Sequence, residues 1–332
     1  LVQINSISSE SSVSFIGVEQ GEISQVAKLY DINKNNVIMP LEKTFSVKAC
    51  VQEGCASYFS GGHYGDITGE GSPELILLIT NPSYGTQVLI WETKEDGSFS
   101  MLEKPYLINS NKSSSEAINS FLETIYPDKD KELVISIGSP DRKVVILNYD
   151  GQVSSKTIAG EFLENTVGPL VLKLEDFNND SLKDIYILNN GIQKEEQTYF
   201  SPEHFAGEKK TNTGQELYKD LLFYNTGSQK IKISLLKGGA LYIRAWEKEI
   251  KLSLPNVTNL LKINGDTLLT LNSKGDVGKY LIKNDDETID EIKIIKNRFR
   301  QTGYDKVEFL ILEDERIILS HNKNPEIIIE NL

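Results

Sequence analysis

Apolar residues gather into strand-length runs separated by polar turns, and these runs set the first expectation for the fold. Residues 13–18, 25–30 and 37–39 read as short strands, the last two joined by an Asn- and Asp-rich hairpin turn at 31–36. The same texture returns at 75–79, 88–92, 133–137, 144–149, 185–188, 220–225, 240–246, 268–271, 279–282, 307–312, 316–319 and 326–329. No stretch carries the period of an amphipathic helix. The chain is predicted to be all-β.

Several runs are preceded by related nine-residue loops. Asp176-Phe177-Asn178-Asn179-Asp180-Ser181-Leu182-Lys183-Asp184 opens the strand at 185–188, and Asp66-Ile67-Thr68-Gly69-Glu70-Gly71-Ser72-Pro73-Glu74 opens the one at 75–79. A fainter copy at 124–132 precedes 133–137. The first positions are spaced by 58 and 52 residues, and a unit of roughly 50 residues with several short strands is the signature of a propeller or similar array. Dividing the 332 residues by that unit predicts a single domain, 1–332. The expected fold is a β-propeller of six or seven four-stranded blades, seven preferred, its ring closed by an N-terminal strand such as 13–18.

Composition narrows the classes. A net charge of -13 argues against a phosphate backbone as partner, since nucleic-acid affinity comes from Lys and Arg displacing counterions. No run reaches the length of a bilayer span, so direct membrane insertion is not expected. The only cysteines, Cys50 and Cys55, have four residues between them; a local disulfide and two buried thiols both fit.

The loop at 176–184 places oxygen-bearing side chains at positions one, three, five and nine, as a loop around a hard cation does. Ser181 at position six and Ile187 at position twelve, with strands on either side, exclude an EF-hand. Residues 176–188 resemble instead the FG-GAP or VCBS type of repeat found in integrin α-subunit propellers and in bacterial surface and secreted proteins. The resemblance implies a structural Ca²⁺ held by Asp176, Asn178, Asp180 and Asp184, with the Leu182 carbonyl. A second, weaker candidate is Asp66, Thr68, Glu70 and Glu74. The loop departs from the family at positions four and six, where Asn179 and Ser181 stand in place of glycine.

The histidines His63, His204 and His321 are scattered and form no triad-like spacing; His63 reads as structural. A polar run at 191–216 reads as a loop insertion within one blade, with Tyr199, Phe200, His204 and Phe205 as the partner-binding candidates. The resulting expectation is a non-enzymatic, extracytoplasmic protein-interaction module. It would serve a cell-envelope, surface-adhesion or secretion assembly, with protein partners in a membrane-embedded or surface complex. The alternative is a polysaccharide-binding or polysaccharide-degrading propeller, with a glycan as ligand.

Overall fold

A computed structural model describes the chain apart from residues 1, 5–11, 42–44, 53–54, 82, 103, 110–116, 128–129, 139–141, 159–169, 178–179, 191–193, 201–203, 213–217, 226–229, 237–239, 246–247, 255–256, 265–266, 273, 284–287, 296–306, 312–315, 322–323 and 332. Among the described residues there are 29 strands and no helix. The first sheet holds β1 (Val2–Ile4), β2 (Ser12–Gln20), β3 (Ser24–Asn33), β4 (Ile38–Pro40) and β5 (Ser46–Cys50), with β4 and β5 both pairing with β3. The second holds β6 (Tyr58–Gly65), β7 (Glu74–Asn81), β8 (Gly85–Thr93), β9 (Phe99–Met101) and β10 (Tyr106–Asn109), with β9 and β10 both along β8. Both are therefore four strands wide.

Four-stranded antiparallel meanders follow. The third sheet is β11 (Ala117–Glu123), β12 (Glu132–Ile137), β13 (Lys143–Tyr149) and β14 (Val153–Ile158). The fourth is β15 (Leu170–Glu175), β16 (Asp184–Asn190), β17 (Lys194–Phe200) and β18 (His204–Asn212). The fifth runs from β19 (Tyr218–Asn225) through β20 (Lys230–Leu236) and β21 (Ala240–Ala245) to β22 (Lys248–Ser253). The sixth runs from β23 (Val257–Asn264) through β24 (Thr267–Asn272) and β25 (Val277–Lys283) to β26 (Thr288–Ile295). The last has three described strands, β27 (Val307–Ile311), β28 (Arg316–His321) and β29 (Asn324–Asn331). This is an all-β, propeller-like arrangement with about six sheets four strands wide.

Two compact units divide the chain. One comprises Leu1–Thr166, Asp176–Asp184 and Phe200–Ala206; the other comprises Val167–Glu175, Ile185–Tyr199 and Gly207–Leu332. The expectation of one undivided domain is refined to that extent. In the first unit β7 is buried on both faces, which is why it reads as an unbroken apolar run. Leu75, Leu77 and Ile79 pack with Ile16, Leu29 and Phe45 of the first sheet region. Ile76 and Leu78, on the opposite face, pack with Leu133, Ile135 and Leu147 of the third sheet. The two-residue alternation thus joins one strand to both neighbouring layers, each buried Leu or Ile contributing about 1.5–3 kcal/mol relative to exposure. In the second unit Ile233, Leu235 and Ile243 meet Leu260, Leu268 and Ile282 in the same manner.

Two expectations are corrected by the strand pairing. Residues 13–18 lie within β2, flanked on both edges by β1 and β3, so their backbone groups are already paired inside the first sheet and do not complete the last one. The polar run at 191–216 is no loop insertion in its described part: β17 and β18 are the third and fourth strands of their sheet, with Tyr199 opposite Ile185. Strands near the outer edge need no apolar run, as the exposed Ser154, Ser155, Lys156 and Thr157 of β14 also show. The side chains of Tyr199, Phe200, His204 and Phe205 lie outside the described residues.

Candidate active site

The β6–β7 connection is a tight turn closed by its own carboxylates. Asp66 accepts the backbone N–H of Gly69 at 2.7 Å and of Gly71 at 2.8 Å. Glu74, 1% exposed, accepts the N–H of Ile67 at 2.9 Å and the Thr68 hydroxyl at 3.2 Å. Gly69 and Gly71 hold φ of 72° and 84°, the left-handed region that glycine enters without cost. Burial raises the Glu74 pKa, partly opposed by the hydrogen bonds from Ile67 and Thr68.

The same device recurs twice. Glu132, 1% exposed, accepts the N–H of Ile125 at 2.7 Å. Asp184, fully buried, accepts that of Phe177 at 2.7 Å. In each loop the position-nine acid caps the N–H of position two. Asp176 accepts from Asp180 and Ser181, and Asp180 accepts from the N–H of Leu182. The loops are also stitched to one another, since Lys131 N–H donates to the Asp66 carbonyl at 3.1 Å and Lys183 N–H to the Thr124 carbonyl at 2.9 Å.

The oxygens that suggested a cation loop therefore work as backbone caps. Among the described residues no group of three or more His, Cys, Asp or Glu side chains is arranged to hold a metal. Asn178 lies outside the described residues. At the weaker candidate, Asp66, Thr68 and Glu74 are engaged with one another and with the turn, while Glu70 is exposed.

Chemistry of a different kind sits on the adjoining strands. His63 Nε2 lies 2.7 Å from Ser120 Oγ. His63 is on β6 and Ser120 on β11, the first strands of two consecutive sheets, and both strands carry a register irregularity beside the pair. Such bulges re-aim a side chain. Gly61 makes the approach possible: a Cβ there would stand 2.8 Å from Ser120 Oγ. Burial pushes the His63 imidazole down to about 4, so the ring is neutral at ordinary pH. With the ring proton on Nδ1, the serine hydroxyl donates to Nε2, the arrangement in which an imidazole activates a nucleophile.

Sequence reading missed this pair because His63 and Ser120 are 57 residues apart. One signal was available. That separation nearly equals the 58-residue repeat spacing, so near-equivalent positions of successive units were due to meet.

Cys50 and Cys55 form a disulfide with their Cα atoms 5.7 Å apart. Among the described residues no helix is long and apolar enough to cross a membrane.

No family model and no curated protein matches the chain. Its fold is similar to solved propeller structures at low identity. Sqt1 from Chaetomium thermophilum is 11% identical with a TM-score of 0.58, over 97% of this chain and 93% of that one. The periplasmic gluconolactonase PpgL of Pseudomonas aeruginosa is 10% identical with a TM-score of 0.51, over 86% and 83%. A putative 6-phosphogluconolactonase from Bacteroides fragilis is 12% identical with a TM-score of 0.51, over 89% and 83%.

These likenesses replace the integrin-type repeat resemblance, and the calcium-binding assignment that came with it loses its basis. They also correct the expectation of a non-enzymatic assembly module to this extent: sheets arranged in this way occur in proteins named as lactonases, so the fold does not exclude an enzyme.

Proposed function

We propose that this chain is an extracytoplasmic hydrolase of sugar lactones, with His63 and Ser120 at its centre. Fold likeness alone assigns no chemistry. The observation that carries the reading is the 2.7 Å contact between a neutral imidazole and a serine hydroxyl. Two of the similar structures bear lactonase names, which favours the carbohydrate-directed side of the earlier alternatives. The Cys50–Cys55 disulfide suits an oxidising compartment, as does the periplasmic name of one similar protein. The seven sheets are read as seven blades.

In this mechanism Ser120 Oγ adds to the lactone carbonyl as its proton passes to His63 Nε2. Collapse breaks the ring C–O bond, and the proton moves from His63 to the departing ring oxygen. Water then repeats the sequence on the acyl-serine, releasing the aldonic acid and restoring both groups. The net charge of -13 favours a neutral lactone over a phosphorylated one.

The test is proton release from D-glucono-1,5-lactone and its 6-phosphate, against buffer hydrolysis. The wild type is expected to accelerate the neutral lactone, with Ser120→Ala and His63→Gln each losing about 10²–10⁴ of that rate. No acceleration over buffer, or equal rates in the folded variants, would remove the reading.

A further inference from the structure

A cleft of about 450 Å³ opens on the first unit, beside the turn at 66–74. We propose that it is a non-catalytic binding site for neutral pyranose sugars. The inference does not rest on the lactone reading, because the cleft includes neither His63 nor Ser120.

Three segments build it: the 66–74 turn, the end of the 124–132 loop and the β13–β14 turn. Its volume falls within the few-hundred-Å³ range of small-molecule sites. The walls are rigid for reasons already given, since the Lys131 N–H is bonded to the Asp66 carbonyl and Glu132 caps Ile125. Tyr149 lines the cleft while packing on the core cluster of Ile76, Leu133 and Ile135. It thus offers a fixed aromatic wall with a polar tip. Gly151 borders the cleft at φ 69°, with open space where a Cβ would stand.

The polar lining selects the ligand. The Thr68 hydroxyl, which donates to Glu74, can accept, the Asn148 amide can donate, and the exposed Glu70 and Asp150 present carboxylates near Lys131. Carboxylates take charge-assisted hydrogen bonds from hydroxyl groups and repel anions. A ring rich in hydroxyls, with an apolar face for Tyr149 and no negative charge, matches that set. An aldonate or sugar phosphate does not.

The experiment is a calorimetric and saturation-transfer NMR titration of the full chain with the methyl pyranosides of glucose, galactose and mannose, and with gluconate. At least one neutral glycoside is expected to bind saturably at about millimolar Kd, with gluconate at least about tenfold weaker. Glu70 and Asp150 are exposed, so Glu70→Gln/Asp150→Asn leaves the fold intact, which an unchanged Tm verifies. That variant is expected to weaken glycoside binding by about fivefold or more. Absence of saturation by 50 mM glycoside (roughly the ceiling for a useful weak site), equal binding of gluconate, or an undiminished variant would each overturn the proposal. Loss of lactonase activity in His63→Gln with glycoside binding intact separates this site from the reaction.

Discussion

Replacing Glu74 tests whether the turn carboxylates act as caps. Glu74 is 1% exposed and accepts the Ile67 N–H at 2.9 Å, with the Thr68 hydroxyl at 3.2 Å. Glu74→Ala leaves the N–H of Ile67, itself 1% exposed, with no side-chain acceptor. An orphaned buried donor costs about 1–3 kcal/mol, and the lost hydroxyl bond adds about 1 kcal/mol. The sum, about 3 kcal/mol, corresponds to a Tm lowered by about 6–10 °C. Glu74→Gln keeps an acceptor for Ile67 and removes a charge that burial already disfavours, so its cost at pH 7 is expected to stay below about 1 kcal/mol. The pH dependence follows from the raised pKa. The folded state holds its proton more tightly than the unfolded chain, so this group's contribution is full at low pH and declines as pH rises through the folded pKa. Urea unfolding at pH 4.5 and 7 reads both effects. Equal destabilisation by Ala and Gln, or a wild-type stability that Glu74→Gln leaves with an unchanged pH slope, would refute the capping account.

Three further outcomes are expected. The acid limb of lactone hydrolysis should fall near pH 4 instead of 6–7, because the base must be neutral and burial holds His63 down to about 4; a pH–rate profile checks this. In the second unit Asp220 accepts the Leu260 N–H at 2.9 Å and faces Lys173 Nζ at 3.1 Å. Asp220→Ala should therefore cost about 2–3 kcal/mol in denaturant melts and Asp220→Asn clearly less. Chelation with EDTA should leave Tm within about 1 °C, since the Asp176 loop is closed by its own N–H groups and loses no ligand; a fall of several degrees would restore a structural cation there.

The strands most legible in the sequence are those buried on both faces. Residues 75–79 are an unbroken apolar run and 133–137 one interrupted only by the buried Ser136, because their side chains on both faces are buried. The fourth strands were not legible for the opposite reason. β14 exposes four consecutive residues, and β17 and β18 are polar enough to pass for a loop. Of the candidate site, His63 was noticed only as a scattered histidine. Its partner is set by the contact of two sheets, and neither residue's neighbours in sequence announce it.

The loop motif recurs along the chain, and the acids that suggested an ion site accept backbone N–H groups within it. A position-one carboxylate caps the N–H groups of later loop positions: Gly69 and Gly71 for Asp66, Asp180 and Ser181 for Asp176. In the middle loop position four is Pro127, which has no N–H to offer, and position one is Thr124, which has no carboxylate. The position-one acid and the position-four donor are both absent there, while positions five and six, Asp128 and Lys129, keep their N–H groups. What all three loops keep is the position-nine carboxylate on the N–H of position two; that donor belongs to a buried residue in two of them, Ile67 at 1% and Ile125 at 0% exposed, and to the half-buried Phe177 in the third. An ion-binding requirement would couple position one to positions three and five. In the two loops that keep the position-one acid, its hydrogen bonds run to backbone donors.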